Sequence, residues 1–317
     1  MTGLYTRAME KENSIDQTQL TRHSGLAAIP VYYSEHLLAD ADSFSPSAAK
    51  PRPVVAAWHE ANLPIARQTF SPAEEIDLCL AHDPAYVHGV LTGVLPNGFG
   101  NTRTDVARSL PYTTGAIIAA ARAAIDSGCA CAPVSGFHHA HYDTGGGFCT
   151  FNGLIVAAQK LIDEVGLQRI LILDCDMHYG DGTDYIIERL ALRPCIDNCT
   201  FGRWYNTPQD APAYLAKLRD IASHFEDYDL ILYQAGADVH VDDPLGGVLT
   251  TAQMIGRDRI VFEGAHQAAV PIAWNLAGGY QEPLDRVTAL HVNTMRECAS
   301  VYCVGETPEK VPARSQK

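Results

Sequence analysis

The residues best placed to do chemistry form the run Asp174-Cys175-Asp176-Met177-His178-Tyr179-Gly180-Asp181-Gly182-Thr183, directly after the apolar stretch Ile170-Leu171-Ile172-Leu173. Alternate residues of an extended chain face the same way, so Asp174, Asp176 and His178 are expected on one side of a strand end. A carboxylate and an imidazole two residues apart can grip one divalent ion. Zinc accepts this oxygen and nitrogen set and, when catalytic, keeps a position open for water. A solvated loop in which Gly180 and Gly182 only make turns would carry the same residues, so the rest of the chain must decide.

Three further apolar runs end in the same way. Ala132-Pro133-Val134-Ser135 leads into Gly136-Phe137-His138-His139-Ala140-His141, Leu230-Ile231-Leu232-Tyr233 into Gln234-Ala235-Gly236-Ala237-Asp238, and Pro271-Ile272-Ala273-Trp274 into Asn275-Leu276-Ala277-Gly278-Gly279-Tyr280. Ligands of an open parallel α/β sheet bind outside the carboxyl ends of its strands, so four such endings can converge on one pocket. Paired histidines suit amide hydrolysis, which removes a proton from water and delivers another to the leaving amine.

The segments between these runs read as the helices that would hold them. Residues 113–127 are alanine-rich with Gly128 as a stop, and 152–165 open on a capping-type asparagine and close before Gly166. Residues 211–225 and 284–302 also show helical spacing, with Leu284, Val287, Leu290 and His291 on one side of the latter. Helices alternating with buried strands imply a parallel sheet covered on both faces. The 317 residues, 47% of them hydrophobic, suit one large domain. We expect an N-terminal extension over 1–24, the domain over 25–304 and a frayed tail over 305–317.

With 23 basic and 37 acidic residues the net charge is −14, which argues against nucleic-acid binding and suits a cationic substrate, or simply keeps the chain soluble. Nine cysteines, with no signal peptide or long apolar span, point to a reducing cytoplasm and no membrane. Cys129 with Cys131, and Cys195 with Cys199, read as ordinary thiols, because no paired C-x-x-C set exists.

The chain resembles the zinc-dependent histone deacetylase and acetylpolyamine amidohydrolase superfamily. The resemblance rests on "GFHHAHYDTGGGFCTFNG" (136–153), "DCDMHYGDGT" (174–183), "QAGADVHVDDPLGG" (234–247) and "LAGGYQ" (276–281), in the family's order, and spans roughly residues 25 to 303. The wording of the first and last motifs, with "GRDRIVF" (256–262), is nearest the class IV branch and its bacterial relatives. It implies the arginase/deacetylase fold, an αβα sandwich around a single mostly parallel eight-stranded sheet.

It also implies roles. Asp176, His178 and Asp238 match the metal ligands, for Zn2+ or, since only one ligand is nitrogen, Fe2+. His138 matches the partner of Asp174, and His139 the partner of Asp181 and the general base and acid. Tyr280 matches the donor to the substrate carbonyl, while Gly147 and Phe148 match a tunnel wall. Leu245 falls at the tunnel rim, where polyamine-selective relatives carry a glutamate. A structural K+ is expected near Asp174, its second wall near Thr200 being unrecognisable. His141 lies outside the family pattern and reads as a loop histidine. The opposite tunnel wall is assigned to residues 202–208, through Trp204 or Tyr205. An N-terminal His-Pro-Glu signature is missing, which leaves Arg52 open, and Asp105 does not align to a substrate-gripping acid.

The expected activity is deacylation of acyl-lysine or a small N-acyl amine by metal-activated water, in a cytoplasmic protein that can form homo-oligomers. Three alternatives stand beside it. They are an acetylpolyamine amidohydrolase, an arginase-type binuclear ureohydrolase needing further ligands, and a non-catalytic acyl-lysine reader, which should have lost His139 or Tyr280.

Overall fold

A computed structural model describes residues 25–303. The extension expected over 1–24 and the tail over 305–317 lie outside the described residues. In chain order the elements are β1 (Ile29–Tyr32), α1 (Pro51–Glu60), β2 (Ile65–Gln68), α2 (Glu75–Leu78), α3 (Pro84–Leu91), α4 (Thr104–Ser127), β3 (Cys129–Ala132) and α5 (Gly153–Val165). There follow β4 (Ile170–Asp174), α6 (Asp181–Arg189), β5 (Ile196–Thr200), α7 (Ala211–Ala222), β6 (Leu230–Gln234), α8 (Thr251–Ala268), β7 (Ile272–Asn275) and α9 (Asp285–Tyr302).

The strands form one sheet in the order β2-β1-β3-β7-β6-β4-β5, and every pairing is parallel. Of the five inner strands, β1 is buried at alternate residues, while β3, β7, β6 and β4 are buried along their whole length. That burial explains why they read as continuous apolar runs, since a strand covered by helices on both faces has no solvent side to mark with polar residues. Edge strand β2, in contrast, is half-buried to exposed. The α/β architecture matches the expectation, with seven strands among the described residues where eight were expected. Beyond those strands the described residues form only single-residue bridges, Gly146 with Cys149 and His240 with Leu249, too short to extend a ladder.

Local chemistry sets the helix ends. The Asn152 side chain accepts the Ile155 N–H to start α5, and Gly166, at φ 82°, ends it in the left-handed region open to glycine. α4 begins at Thr104, well before the expected 113, and carries Pro111 inside it. β3 also differs from the sequence reading: the strand is Cys129–Ala132, so Cys129 and Cys131 are core side chains, and Pro133 to Ser135 already belong to the loop. Trp58 of α1 packs on Trp274 of β7 at 5.7 Å between rings and donates its Nε1–H to the His291 carbonyl, tying two covering helices to the sheet centre. Among the described residues no helix is long and apolar enough to cross a membrane.

Candidate active site

The loops that leave β3, β4, β6 and β7 meet at the carboxyl ends of these four adjacent strands. After Asp174 the extended backbone stops, and the Asp176 N–H donates to Asp174 Oδ1 at 3.2 Å. This bend overturns the expectation that Asp174, Asp176 and His178 face one way. Asp174 points to His138 instead, while His178 Nδ1 lies 3.2 Å from Asp176 Oδ1 and 3.1 Å from Asp238 Oδ2.

Asp176, His178 and Asp238 each turn one ligand atom into a space where all lie within 4.8 Å of one another, the one such group among the described residues. The two carboxylates are buried. Glycine makes the crowding possible, since a Cβ on Gly278 would stand 2.1 Å from Asp238 Oδ2. Hydrogen bonds to Asp176 and Asp238 raise the His178 imidazole to about 11. Burial and the charge of Asp176 push the Asp238 carboxyl up as well. Donors that strain this hard toward a shared proton suit a divalent cation in its place, and two oxygens with one nitrogen are a set zinc accepts. The residues therefore fit the metal.

Two histidine–carboxylate pairs flank this cluster. The His138 Nδ1–H donates to Asp174 Oδ2 at 2.8 Å and the His139 Nδ1–H to Asp181 Oδ1 at 2.7 Å, with the two imidazoles 4.1 Å apart. Burial pushes His138 down, but Asp174, Asp176 and Asp238 outweigh it and hold the ring up at about 9. His139 moves the other way, lowered by burial and by the charge of His138 against the pull of Asp181. Gly147, at φ 53°, lets the loop press on this ring, since a Cβ there would sit 2.5 Å from His139 Cδ2.

Tyr280 follows the glycine pair after β7, its ring 6.3 Å from that of His178 and 5.9 Å from that of Phe148. Burial, with Asp238 and Asp176 next, raises its phenol far above the ordinary range, so the hydroxyl keeps its proton. The Tyr280 N–H donates to Asp243 Oδ2, and Asp243 Oδ1 receives the N–H of Leu245, which is exposed beside the site. Phe148 and Ala277 hold φ of 65° and 53°, backbone strain of the kind that concentrates at active sites.

Several of these contacts escaped the sequence reading. His141 is not a free loop residue, because its Nε2–H donates to Asp181 Oδ2 at 3.0 Å. Lys50 is wholly buried, its Nζ donating to the Ala277 carbonyl, and burial lowers its pKa against the pull of Asp238 and Asp176. Arg52 is exposed and paired with Glu35, and Asp105 is paired with Arg103 at the start of α4. Phe44, 72% exposed, stands edge-on to Phe148 at 5.2 Å. Gln234 donates to Asp174 Oδ1. Of the two aromatic candidates for the opposite wall, Tyr205 turns inward onto Phe201 and Tyr214, while Trp204 is half exposed. Thr200 Oγ1, beside the expected potassium position, accepts the Gly180 N–H. A basic side chain between an alanine and a proline, or a lone phenylalanine in a polar loop, carries no spacing signal that would have singled it out.

A histone deacetylase domain model matches residues 50–191. The chain is similar to an uncharacterized protein of Picosynechococcus sp., at 31% identity over 251 residues that cover 70% of this chain and 81% of that protein. It is also similar to histone deacetylase 2 of Arabidopsis thaliana, at 28% identity over 68% of this chain, and spans 64% of that protein, a little under two thirds. Among solved structures, the HD domain of HDA15 superposes with a TM-score of 0.68 at 20% identity, covering 88% of this chain and 92% of that one, a likeness that carries the fold alone.

Proposed function

The chain belongs to the histone deacetylase-like superfamily, and from that premise we propose that it is a metal-dependent deacylase of acyl-lysine side chains or related N-acyl amines. The observation that carries this reading is the convergence of the His139–Asp181 pair, the Asp176–His178–Asp238 cluster and Tyr280 at one set of strand ends. A divalent ion on that cluster, zinc in this reading and ferrous iron as the alternative, would polarise the substrate carbonyl and make water more acidic.

The chain's own residues supply the rest. With its Nδ1–H given to Asp181, His139 presents Nε2 as a lone pair, and its lowered pKa keeps that lone pair available near neutral pH. Nε2 takes the proton of the attacking water and then returns it to the amine nitrogen as the C–N bond breaks, giving a carboxylic acid and a free amine. The Tyr280 hydroxyl donates to the carbonyl oxygen as negative charge gathers there. His138, clamped by Asp174, stabilises that charge without moving a proton. The aromatic wall of Phe148, extended outward by Phe44, lies along the aliphatic linker of the substrate and excludes water.

Leu245 offers no charge at the rim, which favours acyl-lysine and simple acyl amides over acetylated polyamines. Hydrolysis of a panel pairing acetyl and longer acyl-lysine peptides with acetylpolyamines, by zinc-loaded protein, tests the proposal. Release of acid and amine from any of them, lost on chelation and restored by metal, is the expected result. No turnover on the whole panel would refute it.

A further inference from the structure

Asp181 is the hub of a three-residue bridge. Oδ1 accepts from His139 Nδ1 at 2.7 Å and Oδ2 from His141 Nε2 at 3.0 Å. The carboxylate needs this second donor more than its counterpart does. Asp174 is fully buried, and besides His138 it receives the Gln234 amide at 2.9 Å and the Asp176 N–H at 3.2 Å. The Asp181 side chain is 45% exposed and, among the described residues, takes hydrogen bonds from His139 and His141 alone. A carboxylate held at one oxygen and open to water can turn about χ2, a broad and soft torsion.

His141 is itself well held. Its N–H donates to the Thr144 carbonyl at 2.9 Å, its ring stacks on Tyr185 at 5.0 Å and 21°, and its carbonyl lies 2.9 Å from the Nδ1 of buried His82. Tyr185 lies one turn after Asp181 on α6, so the stack and the carboxylate share a helix face. Between the two histidines a cleft of about 270 Å3, floored by Asp181 and walled by residues 145–147, opens to solvent.

We infer that His141 is a positioning residue for the reaction: by occupying Asp181 Oδ2 it fixes the carboxylate against His139 and so keeps His139 Nε2 aimed at the substrate. A carboxylate already receiving two N–H donors is also a poorer acceptor for the proton that His139 must return to the leaving amine. The inference rests on the deacylase reading for its kinetic consequence, but the geometry can be judged without it.

The test separates donor from ring. His141→Phe keeps a flat ring for Tyr185 and removes the N–H, whereas His141→Gln loses the ring and returns an N–H near the Nε2 position. On an acyl-lysine peptide, kcat should fall roughly tenfold in His141→Phe with KM and metal content unchanged, as is usual for a residue that orients a working group, and most of it should return in His141→Gln. Proton NMR of the metal-free chain gives an independent reading. The downfield His139 Nδ1–H resonance, assigned by its loss in His139→Gln, should move or broaden in His141→Phe and recover in His141→Gln. Should His141→Phe fail to fold, His141→Leu is the second donor-free variant. A donor-free variant with wild-type kcat and an unmoved resonance overturns the inference, and so does a His141→Gln variant as impaired as His141→Phe. Wild-type protein that hydrolyses nothing would sink the deacylase reading, leaving the positioning role to be decided by the resonance.

Discussion

The two histidine–carboxylate pairs have the same parts and nearly the same hydrogen-bond length, 2.8 Å for His138–Asp174 and 2.7 Å for His139–Asp181, yet they sit in opposite surroundings. The first belongs to the floor of the site, with side-chain exposures of 5% and 1%, among the carboxylates of Asp176 and Asp238. The second belongs to the mouth, with exposures of 24% and 45%, beside an imidazole already held charged. Environment therefore decides which ring is a fixed cation and which can take up and give back a proton. Floor residues should govern metal and stability. Mouth residues should govern rate and selection.

Truncating each histidine tests that division most strongly. His139→Ala is expected to lower kcat by roughly 10³, within the range for losing a general acid and base, while unfolding stability changes by about 1 kcal/mol or less because Asp181 stays partly solvated. His138→Ala should show a smaller loss of rate and a larger loss of stability, about 3 kcal/mol or more, because it strands a buried carboxylate. Urea unfolding and steady-state kinetics on both variants read this out. Equal rate losses with equal stabilities would erase the distinction between floor and mouth. Tyr280→Phe should cost roughly 10² in kcat with metal retained, the scale for one donor to a developing oxyanion.

The floor also predicts metal dependence. Asp176→Asn, His178→Ala and Asp238→Asn each remove one of the three proposed protein ligands, so dialysed variants should carry well below one zinc per chain while His139→Ala keeps a full equivalent. In the wild type, zinc at about 100 times its dissociation constant should add about 2.7 kcal/mol of stability. A full equivalent on the Asp238 variant would show that this carboxylate is not a ligand.

How much of this was legible in the sequence follows the same line between floor and mouth. β4, β6 and β7 announced themselves because interior parallel strands are apolar throughout, and the reactive residues follow directly on their last positions. The conversion of Asp174 from expected ligand neighbour to histidine partner was not legible from alternation, since it depends on the chain bending at Cys175. β1, β2 and β5 are four or five residues long with mixed burial, a pattern that loops share. α4 hid its first nine residues because Pro111 reads as a breaker, whereas its ring sits inside an uninterrupted helix. His141 and Phe44 at the mouth, and Lys50 buried beneath it, matter through contacts with residues tens or hundreds of positions away, and no local pattern records those.

Beneath the mouth lies a buried wall that can be probed by acid. His82 accepts the Asn152 N–H at Nε2 and meets the His141 and Tyr142 carbonyls at Nδ1, so it carries the loop that presents His141. Burial lowers its pKa from 6.5 to about 4. The folded state thus resists a proton that the unfolded chain accepts below 6.5. Its contribution is complete above that pH and is lost as pH falls toward 4, about 3 kcal/mol in all. His82→Gln should be less stable than wild type at pH 7 and have a flatter acid limb, closing most of the gap by pH 4. Parallel stability curves for the two proteins would remove His82 from this role.

The smallest expected effect lies at the rim, and it asks whether the mouth selects substrates without touching the chemistry. Leu245 is 40% exposed, and its backbone is tied through Asp243 to the Tyr280 N–H, so its side chain can be exchanged while the phenol stays in place. A glutamate there would meet the second ammonium of an acetylated polyamine in solvent, where an ion pair is worth about 0 to 1 kcal/mol, or roughly up to fivefold. Opposing a larger gain, Asp242 and Asp243 already stand close by, so added negative charge would partly repel them and the wild type already attracts cations. Leu245→Glu should therefore raise kcat/KM for acetylspermidine a fewfold, leave that for an acetyl-lysine peptide within twofold, and lose the gain at 0.5 M salt as screening removes an exposed pair. A salt-insensitive change, or a fall in kcat on both substrates, would mean that Leu245 acts on the chemistry through Asp243 and Tyr280 and does not select substrates at the rim.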